Sequence, residues 1–444
     1  METPIVDFLR RYCAAGTTRF HMPGHKGVSF LGCEEMDITE VQGADALYEA
    51  DGIIAQSEEN AAGLFRSRRT CYSTEGSSQC IRAMVYLALS ACPAGAPRVI
   101  VAARNVHKAF VYAAALLDFQ VVWLWPEGKN QSICGCPVTP AGLERTLSQL
   151  DAPPAAVYLT SPDYLGGMAD VAALAQVAHR HQTLLLVDNA HGAYLHFLSP
   201  SLHPLDLGAD LCCDSAHKTL PVLTGGAYLH VGRGAPPHLA GQMKAALALF
   251  GSTSPSYLTL ASLDGCNRYL TEAYPAHLEQ TVQVLRRVRV QLARQGWQVQ
   301  ESDSLRLTVK TPETLPGTEL AQRLRRRNIE CEYADRDFLV LMVTPENTPE
   351  DLTRLTEAMG DAPAGRSRTA ALPLAKAAQA VSIRQALFSP QETVPADLAL
   401  GRICGAPTVA CPPAIPIAVS GERIGKQALE LFADYGVTHV AVLK

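Results

Sequence analysis

Several features that would point to a function class are missing from this sequence. No run of about 18 apolar residues occurs, which predicts that no segment spans a membrane. The net charge of −5 gives no basic excess, so nucleic acid is not an expected partner. The N-terminus carries an acid at Glu2 and has no long apolar stretch, so we expect no signal peptide and a cytoplasmic location.

Disulfide and metal patterns are also missing. The 13 cysteines are an odd number, and no Cys-x-x-Cys occurs. His21 and His25 lie four positions apart, but Pro23 and Gly24 between them break a helix, so the two rings need not share a face. We therefore expect free thiols in a reducing compartment and no metal site.

What the sequence does contain is an alternation of short apolar runs and longer helical patterns from about residue 70 to 231. The runs mostly lack polar alternation, which is typical of strands buried on both faces. They lie at 98–103, 121–125, 155–160, 183–188, 210–214 and 226–231, with helical patterns at 77–91, 107–118, 140–150 and 170–181. This order predicts an α/β fold with a mainly parallel sheet, in which ligands bind at the carboxyl ends of strands.

The chain is predicted to divide into four regions. They are an N-terminal arm (1–45), a large domain (46–275), a smaller α/β domain (276–362) and a compact C-terminal α+β domain (363–444). The third region has helical patterns at 277–294, 317–327 and 349–359 and strand patterns at 297–301, 305–310 and 338–343. The fourth contains a stiff proline-rich stretch at 411–416, a helix at about 422–435 and a last strand at 437–443.

Two residues at the ends of successive apolar runs suggest a cofactor. Asp188 ends one run and Lys218 follows the next, in the segment 214–221. A lysine amine can form a Schiff base with the aldehyde of pyridoxal phosphate, and an aspartate can keep the pyridine nitrogen protonated. The pair therefore predicts pyridoxal phosphate chemistry at the α-carbon of an amino acid. The alternative is a surface lysine and an aspartate that caps a helix.

A phosphate site is predicted where a glycine precedes a helical pattern. Gly76 permits a tight turn, and Ser77 and Ser78 bring two hydroxyls to a helix start with free backbone amides. Ser215 and His217 lie close to Lys218 in sequence and could also reach phosphate oxygens. The alternative is a serine that only caps the helix.

His107 follows the run that ends near Ala103, so its ring could lie flat on the cofactor ring. The alternative is a capping or surface histidine. A hydroxyl-rich segment at 252–256 is a further candidate, and its alternative is a flexible loop.

Seven ordered motifs together resemble the Orn/Lys/Arg decarboxylases. They are His21-Met-Pro-Gly-His-Lys-Gly, Asp37-Ile-Thr-Glu, Asn105-x-His-Lys, Thr160-Ser-Pro-x-Tyr, Asp188-x-Ala-His-Gly-Ala, Ser215-x-His-Lys-Thr-Leu-Pro and Ser252-Thr-Ser-Pro-Ser-Tyr. The resemblance runs from about residue 18 to the C-terminus, including Glu392-Thr-Val-Pro and Pro412-Pro-x-Ile-Pro. The chain looks like the short bacterial form without an N-terminal wing domain.

The resemblance implies a fold type I enzyme that decarboxylates arginine, lysine or ornithine to an amine. Lys218 would be the Schiff-base lysine, Asp188 the partner of the ring nitrogen, and His107 the residue stacked on one ring face. Ala190 and His191 would lie at the other face or its rim. The phosphate would be held by Gly76, Ser77, Ser78, Ser215 and His217.

The resemblance also implies a homodimer or a higher homo-oligomer with shared active sites. Thr253 would then reach the neighbouring subunit's site. Asp163 and Glu392 are the candidates for binding the distal cation of a basic amino acid. Glu392 is carried over from the family.

Four positions depart from the family pattern. Glu75 stands where the family usually has asparagine, and an added carboxylate near a phosphate is unfavourable unless it points away. Asn189 and Tyr194 replace a glutamate and a histidine, and Asp163 stands where a neutral residue is common. Two alternatives therefore stay open: another reaction with the same cofactor, such as that of an aminotransferase, lyase or racemase, or a non-catalytic paralogue that regulates an active partner.

Overall fold

The structure is a computed structural model that describes residues 1–128, 130, 132–369, 372–408 and 414–444. Residues 411–413 of the predicted proline-rich stretch lie outside the described residues. Among the helices in the described ranges, none is both long and apolar enough to cross a membrane.

The first part of the chain is built from alternating helices and strands. In chain order these are α1 (Pro4–Ala14), α2 (Ile53–Leu64), β1 (Arg69–Ser73), α3 (Ser77–Ser90), β2 (Val99–Ala103), α4 (Lys108–Leu117), β3 (Gln120–Leu124), α5 (Pro140–Leu147), β4 (Ala156–Thr160), α6 (Val171–Arg180), β5 (Leu184–Asp188), a 3₁₀ turn (Ala193–Phe197), β6 (Leu211–Asp214), the single-turn helix α7 (Ala216–Thr219) and β7 (Ala227–Val231).

Seven strands form one sheet in the order β1-β7-β6-β5-β4-β2-β3. The pairs β2–β3 and β5–β6 are parallel, whereas β7 pairs antiparallel with both β6 and β1. All four residues of β6 and all five of β7 are buried, as expected for strands covered on both faces. The predicted α/β fold with a mainly parallel sheet is confirmed.

The rest of the chain adds two smaller sheets. Its elements are α8 (Pro237–Ala248), α9 (Tyr257–Glu272), α10 (Tyr274–Arg294), β8 (Gln298–Val299), β9 (Arg306–Lys310), α11 (Gly317–Arg325), β10 (Tyr333–Ala334), β11 (Phe338–Met342), α12 (Pro349–Met359), α13 (Ile383–Phe388), β12 (Gln391–Pro395), a 3₁₀ turn (Ala396–Leu398), α14 (Lys426–Asp434) and β13 (His439–Leu443). Strands β8–β11 form an antiparallel sheet in the order β10-β11-β9-β8, and β12 pairs antiparallel with β13. Leu285, Leu307, Leu339 and Leu320 lie in the core that joins α10 and α11 to the four-stranded sheet.

The chain divides into two compact units that are both built from separate stretches of sequence. The first unit contains residues 1–97, 152–159 and 171–276, and the second contains 98–151, 160–170 and 277–444. The finer division into four regions stays a prediction.

Candidate active site

The first unit brings two strand ends together. Because β5 and β6 are parallel, with Asp188 opposite Cys213, the two strands end at the same edge of the sheet. Asp188 is 1% exposed. Its Oδ2 accepts a hydrogen bond from the Tyr158 hydroxyl at 3.1 Å, and its Oδ1 accepts one from the Ala190 amide at 3.2 Å. Asp188 therefore ends a strand and turns the chain, and it does not cap a helix.

Lys218 lies in α7, directly after β6. Its Nζ is 3.1 Å from Nε2 of the buried His191, which follows Asp188 by three positions. Burial raises the pKa of Asp188, and the positive charge of Lys218 opposes that rise only in part, so the net shift is upward. A carboxylate in this state is stabilised by a further positive partner.

The start of α3 provides an anion site in the same unit. Gly76 precedes the helix with φ of 70°, a conformation that favours glycine, and no side chain caps the helix. Ser77 is the first helical residue, so the serine-cap alternative does not describe it. The Ser215 hydroxyl donates to the Ser77 hydroxyl at 2.8 Å, and Ser78 follows in the same turn.

His217 lies beside this turn. Its Nδ1 donates to the backbone oxygen of Gly226 at 2.9 Å, and a Cβ built on Gly76 would lie 3.9 Å from its Cε1. Burial lowers the pKa of the His217 imidazole. A bound phosphate would oppose this shift because its negative charge favours the imidazolium.

Together these side chains fit pyridoxal phosphate. The uncapped start of α3 and the hydroxyls of Ser77 and Ser215 suit a phosphate. Asp188 suits a protonated ring nitrogen, and Lys218 supplies an amine for the aldehyde.

Glu75, one of the positions that depart from the family pattern, contacts another part of the first unit. Glu75 is exposed, and its Oε1 accepts a hydrogen bond from the backbone amide of Ser252. Thr253 is exposed in the same loop, after α8. The carboxylate of Glu75 thus binds the 252–256 loop.

The remaining predicted residues belong to the second unit. His107 is the N-cap of α4, and its Nδ1 accepts from the Ala109 amide at 3.2 Å, which is the capping contact of the alternative interpretation. Asp163 is partly exposed, and its pKa is raised to about 6, chiefly by burial. Glu392 lies on β12 with its side chain 43% exposed, and it forms an ion pair with Arg402 at 2.5 Å.

Sequence reasoning missed a buried network behind the strand ends. Oδ2 of Asp214 is 3.0 Å from Nε2 of His203 and 3.2 Å from Nε2 of His230, and its Oδ1 accepts from the side-chain amide of Asn189 at 2.7 Å. His203 Nδ1 accepts from the Leu205 amide, so its Nε2 carries the proton that it donates to Asp214. The histidines lie outside the motifs, and only the fold brings them together.

A second missed contact lies in the second unit. Arg104 is fully buried and forms a bidentate ion pair with Glu422, with both N–O distances at 2.7 Å. Its guanidinium also stacks on Trp123 and Trp125, at 4.7 Å from each ring centroid. This pair fixes the chain at the end of β2, directly before Asn105.

Comparison with known proteins agrees with these observations. The family model described as Orn/Lys/Arg decarboxylase, major domain, matches residues 3–312. An arginine decarboxylase of Bacillus subtilis is 28% identical over 459 residues, covering 96% of this chain and 92% of the relative. An arginine decarboxylase of Bacillus anthracis is also 28% identical, covering 97% and 92%.

The solved structure of a lysine decarboxylase from Francisella novicida has the same fold. It superposes with a TM-score of 0.82 at 16% sequence identity, covering 100% of this chain and 81% of that structure. The chain therefore belongs to the Orn/Lys/Arg decarboxylase family, and with it to the pyridoxal phosphate-dependent decarboxylases of basic amino acids.

Proposed function

We propose that this protein decarboxylates arginine to agmatine and carbon dioxide, with pyridoxal phosphate as its cofactor. The choice of arginine is supported by two Bacillus relatives that match nearly the whole chain and are named arginine decarboxylases. The lysine decarboxylase structure is less than 25% identical and therefore supports only the fold.

The observation that carries the proposal is the environment of Asp188. Its carboxylate is buried with a raised pKa at the end of β5, in the same unit as Lys218. Asp188 is the proposed partner of a protonated ring nitrogen, because a cation at that point lowers the cost of burying the carboxylate.

When it is bound, the cofactor supplies an electron-accepting ring that takes up the electrons of the bond between Cα and the carboxylate. Lys218 is the proposed attachment point of the cofactor and the proton donor to the substrate Cα. His191 is proposed to share a proton with Lys218, because its Nε2 lies 3.1 Å from the Lys218 Nζ, which is within hydrogen-bond distance.

The other predicted residues have proposed holding roles. Gly76, Ser77, Ser78, Ser215 and His217 would bind the phosphate. His107 and Ala190 would pack on the two ring faces, and His107 keeps its capping contact with Ala109.

Assembly and location are also proposed. We expect a homodimer with shared active sites, in which Thr253 on its exposed loop contacts the neighbouring subunit's site. The proposed location is the cytoplasm, where the amine product would serve polyamine synthesis. Light scattering of the purified protein tests the dimer, because a monomer at micromolar concentration contradicts it.

The activity test compares arginine, lysine and ornithine in parallel with added pyridoxal phosphate. We expect carbon dioxide release to be fastest from arginine, and mass spectrometry of the product should give agmatine. Lys218→Ala should abolish both the release and the visible absorbance of the lysine-linked cofactor. Lys376→Ala, which changes an exposed lysine, is the matched control and should retain both.

The outcomes separate the alternatives. Consumption of an amino acid without carbon dioxide release would favour another reaction on the same cofactor. Co-purification of a heteromer with an active decarboxylase, without turnover by this protein alone, would favour a regulatory paralogue.

A further inference from the structure

The second unit contains a cavity of about 370 Å³ at the carboxyl ends of two strands. Asn105 comes two residues after the end of β2, and Thr160 ends β4; both line the cavity. The turn at 163–170 and the residues Gln300 and Glu301 complete much of the wall. Strand ends of this kind are the usual ligand position in α/β sheets.

The described wall of this cavity is acidic. Asp163, Asp170 and Glu301 line it, whereas none of the described lining residues is a lysine or an arginine. Oδ1 of Asp163 accepts from the amides of Leu165 at 3.0 Å and Gly167 at 2.7 Å. These two bonds hold the carboxylate in place without neutralising it.

The second oxygen of Asp163 is open. Within the described part of the chain its Oδ2 accepts no hydrogen bond. A Cβ on Gly135 would lie 2.9 Å from this oxygen and one on Gly167 only 2.5 Å, so the two glycines leave room around it. Arg306 donates to the backbone oxygen of Asp163 at 2.5 Å and pairs with Asp303, and its charge offsets only part of the rise that burial causes in the pKa of Asp163.

Asn105 gives an independent indication of a ligand. Its side chain is 2% exposed, and among the described residues its Oδ1 has no hydrogen-bond partner. The hydroxyl of Thr160 also lacks a partner in the part of the chain that the structure describes. A buried acceptor that receives no hydrogen bond lowers stability by about 1–3 kcal/mol. Such acceptors are rare in native proteins unless another molecule donates the missing hydrogen bond.

We propose that this cavity binds an alkyl guanidinium or alkyl ammonium group, with Asp163 Oδ2 and Asn105 Oδ1 as its acceptors. A guanidinium has five N–H donors in one plane, so one group can donate hydrogen bonds to two acceptor oxygens. The raised pKa of Asp163 agrees, because a bound cation stabilises the ionised carboxylate that burial disfavours. The assignment rests on the proposed function in one respect: the first candidate for this cation is the distal end of arginine.

The test measures discrimination between a charged and a neutral ligand without turnover. Agmatine and its urea analogue, in which an uncharged carbamoyl group replaces the guanidinium, are titrated calorimetrically into the protein with pyridoxal phosphate added. We expect the wild type to prefer agmatine by at least about tenfold, since a charged hydrogen bond contributes this much. Asp163→Asn should remove most of that preference and weaken agmatine binding on the order of 10–100-fold.

Asp163→Asn retains the Oδ1 acceptor for the two turn amides, so the fold should persist, and circular dichroism with a thermal melt checks this. Glu319→Gln is the matched control because it removes an exposed carboxylate, paired with Arg323 on α11, that lies outside the cavity. It should leave the preference for agmatine unchanged. Asn105→Leu should also weaken agmatine binding, by a smaller factor.

Steady-state kinetics identifies the source of the cation. A rise in KM for arginine with kcat nearly unchanged in Asp163→Asn assigns the cavity to the substrate's distal end. An unchanged KM with weakened agmatine binding assigns it to an amine that binds apart from the substrate.

Equal affinities of the wild type for agmatine and its urea analogue overturn the inference, as does unchanged discrimination in Asp163→Asn. Neither result bears on decarboxylation. Conversely, absence of carbon dioxide release from all three basic amino acids overturns the proposed function while the calorimetric comparison stays valid.

Discussion

Two buried aspartates end neighbouring strands of the same sheet, yet they lie in opposite electrostatic states. Asp188 ends β5 and Asp214 ends β6, with exposures of 1% and 0%. The pKa of Asp188 is raised, whereas that of Asp214 is lowered far below its usual range. Since residue type, burial and strand position are the same, their partners must explain the difference.

Asp214 is surrounded by donors that the protein supplies itself. His203 and His230 contact Oδ2, and the side-chain amide of Asn189 donates to Oδ1. These contacts outweigh the burial that would otherwise raise its pKa.

Asp188 has weaker support. Its neutral donors are the Tyr158 hydroxyl, the Ala190 amide and the thiol of Cys213, the last at 3.7 Å. The charge of Lys218 also lowers its pKa. The comparison indicates that Asp214 is part of the scaffold, whereas Asp188 is arranged for a positive group that arrives with a ligand.

The largest expected effect on stability is that of Asp214→Asn. The change leaves two buried histidines without their carboxylate, and breaking a buried charged contact of this kind costs about 3–5 kcal/mol. Urea unfolding of the cofactor-free protein measures the loss. Asp188→Asn, the matched change at the neighbouring strand end, should cost less than about 1 kcal/mol because burial already disfavours the charged form there. Similar losses for both variants would contradict the comparison.

The effects on activity should run the other way. Asp188→Asn should lower kcat/KM on the order of 10²–10³-fold, because an amide cannot stabilise a positive ring nitrogen. Tyr158→Phe is the control, since it removes the hydroxyl donor and keeps the carboxylate, and it should change kcat/KM by only a few-fold. Carbon dioxide release from arginine measures both. An Asp188→Asn enzyme with full activity would refute the assigned role.

The strands that carry these aspartates were predictable from sequence because continuous apolar runs mark them. The runs at 183–188 and 210–214 match β5 and β6 to within one residue at each end. Strand β1 was not predicted, since its sequence begins Arg69-Thr70 and lacks a clear apolar pattern. The short elements β10, β12 and α13 were also missed, because their patterns are too brief to stand out.

The candidate site was predictable to the same extent. Asp188 ends one strand and Lys218 lies shortly after the next, so the local sequence marks both residues. His203 lies in a loop and His230 inside β7; His230 meets Asp214 only because β7 pairs antiparallel with β6, with His230 opposite Cys212. A partner set by sheet pairing leaves no local signal in the sequence.

The pH dependence of stability offers a further way to separate the two aspartates. The pKa of Asp214 is depressed, so its contribution to stability is present above about pH 3.8, its ordinary pKa, and is lost as the pH falls towards its value in the folded protein. The pKa of the buried His230 imidazole is also lowered, so below about pH 6.5 the unfolded chain takes up a proton there that the folded protein does not. Both groups therefore destabilise the cofactor-free protein on acidification, each by about 1.4 kcal/mol per pH unit within its window.

Asp188 has the opposite effect on the free energy of unfolding, because its raised pKa means that the folded protein takes up the proton first. In urea unfolding series from pH 7.5 to about 2.5, Asp214→Asn should flatten the loss of stability below about pH 3.8, where Asp214 takes up its proton in the unfolded chain first. Asp188→Asn should leave the loss of stability above that pH intact or steepen it. If the unfolding free energies of the two variants instead change with pH in parallel, the histidines, Asp214 and Asp188 titrate as one group. The contrast between the two strand ends would then have no energetic basis.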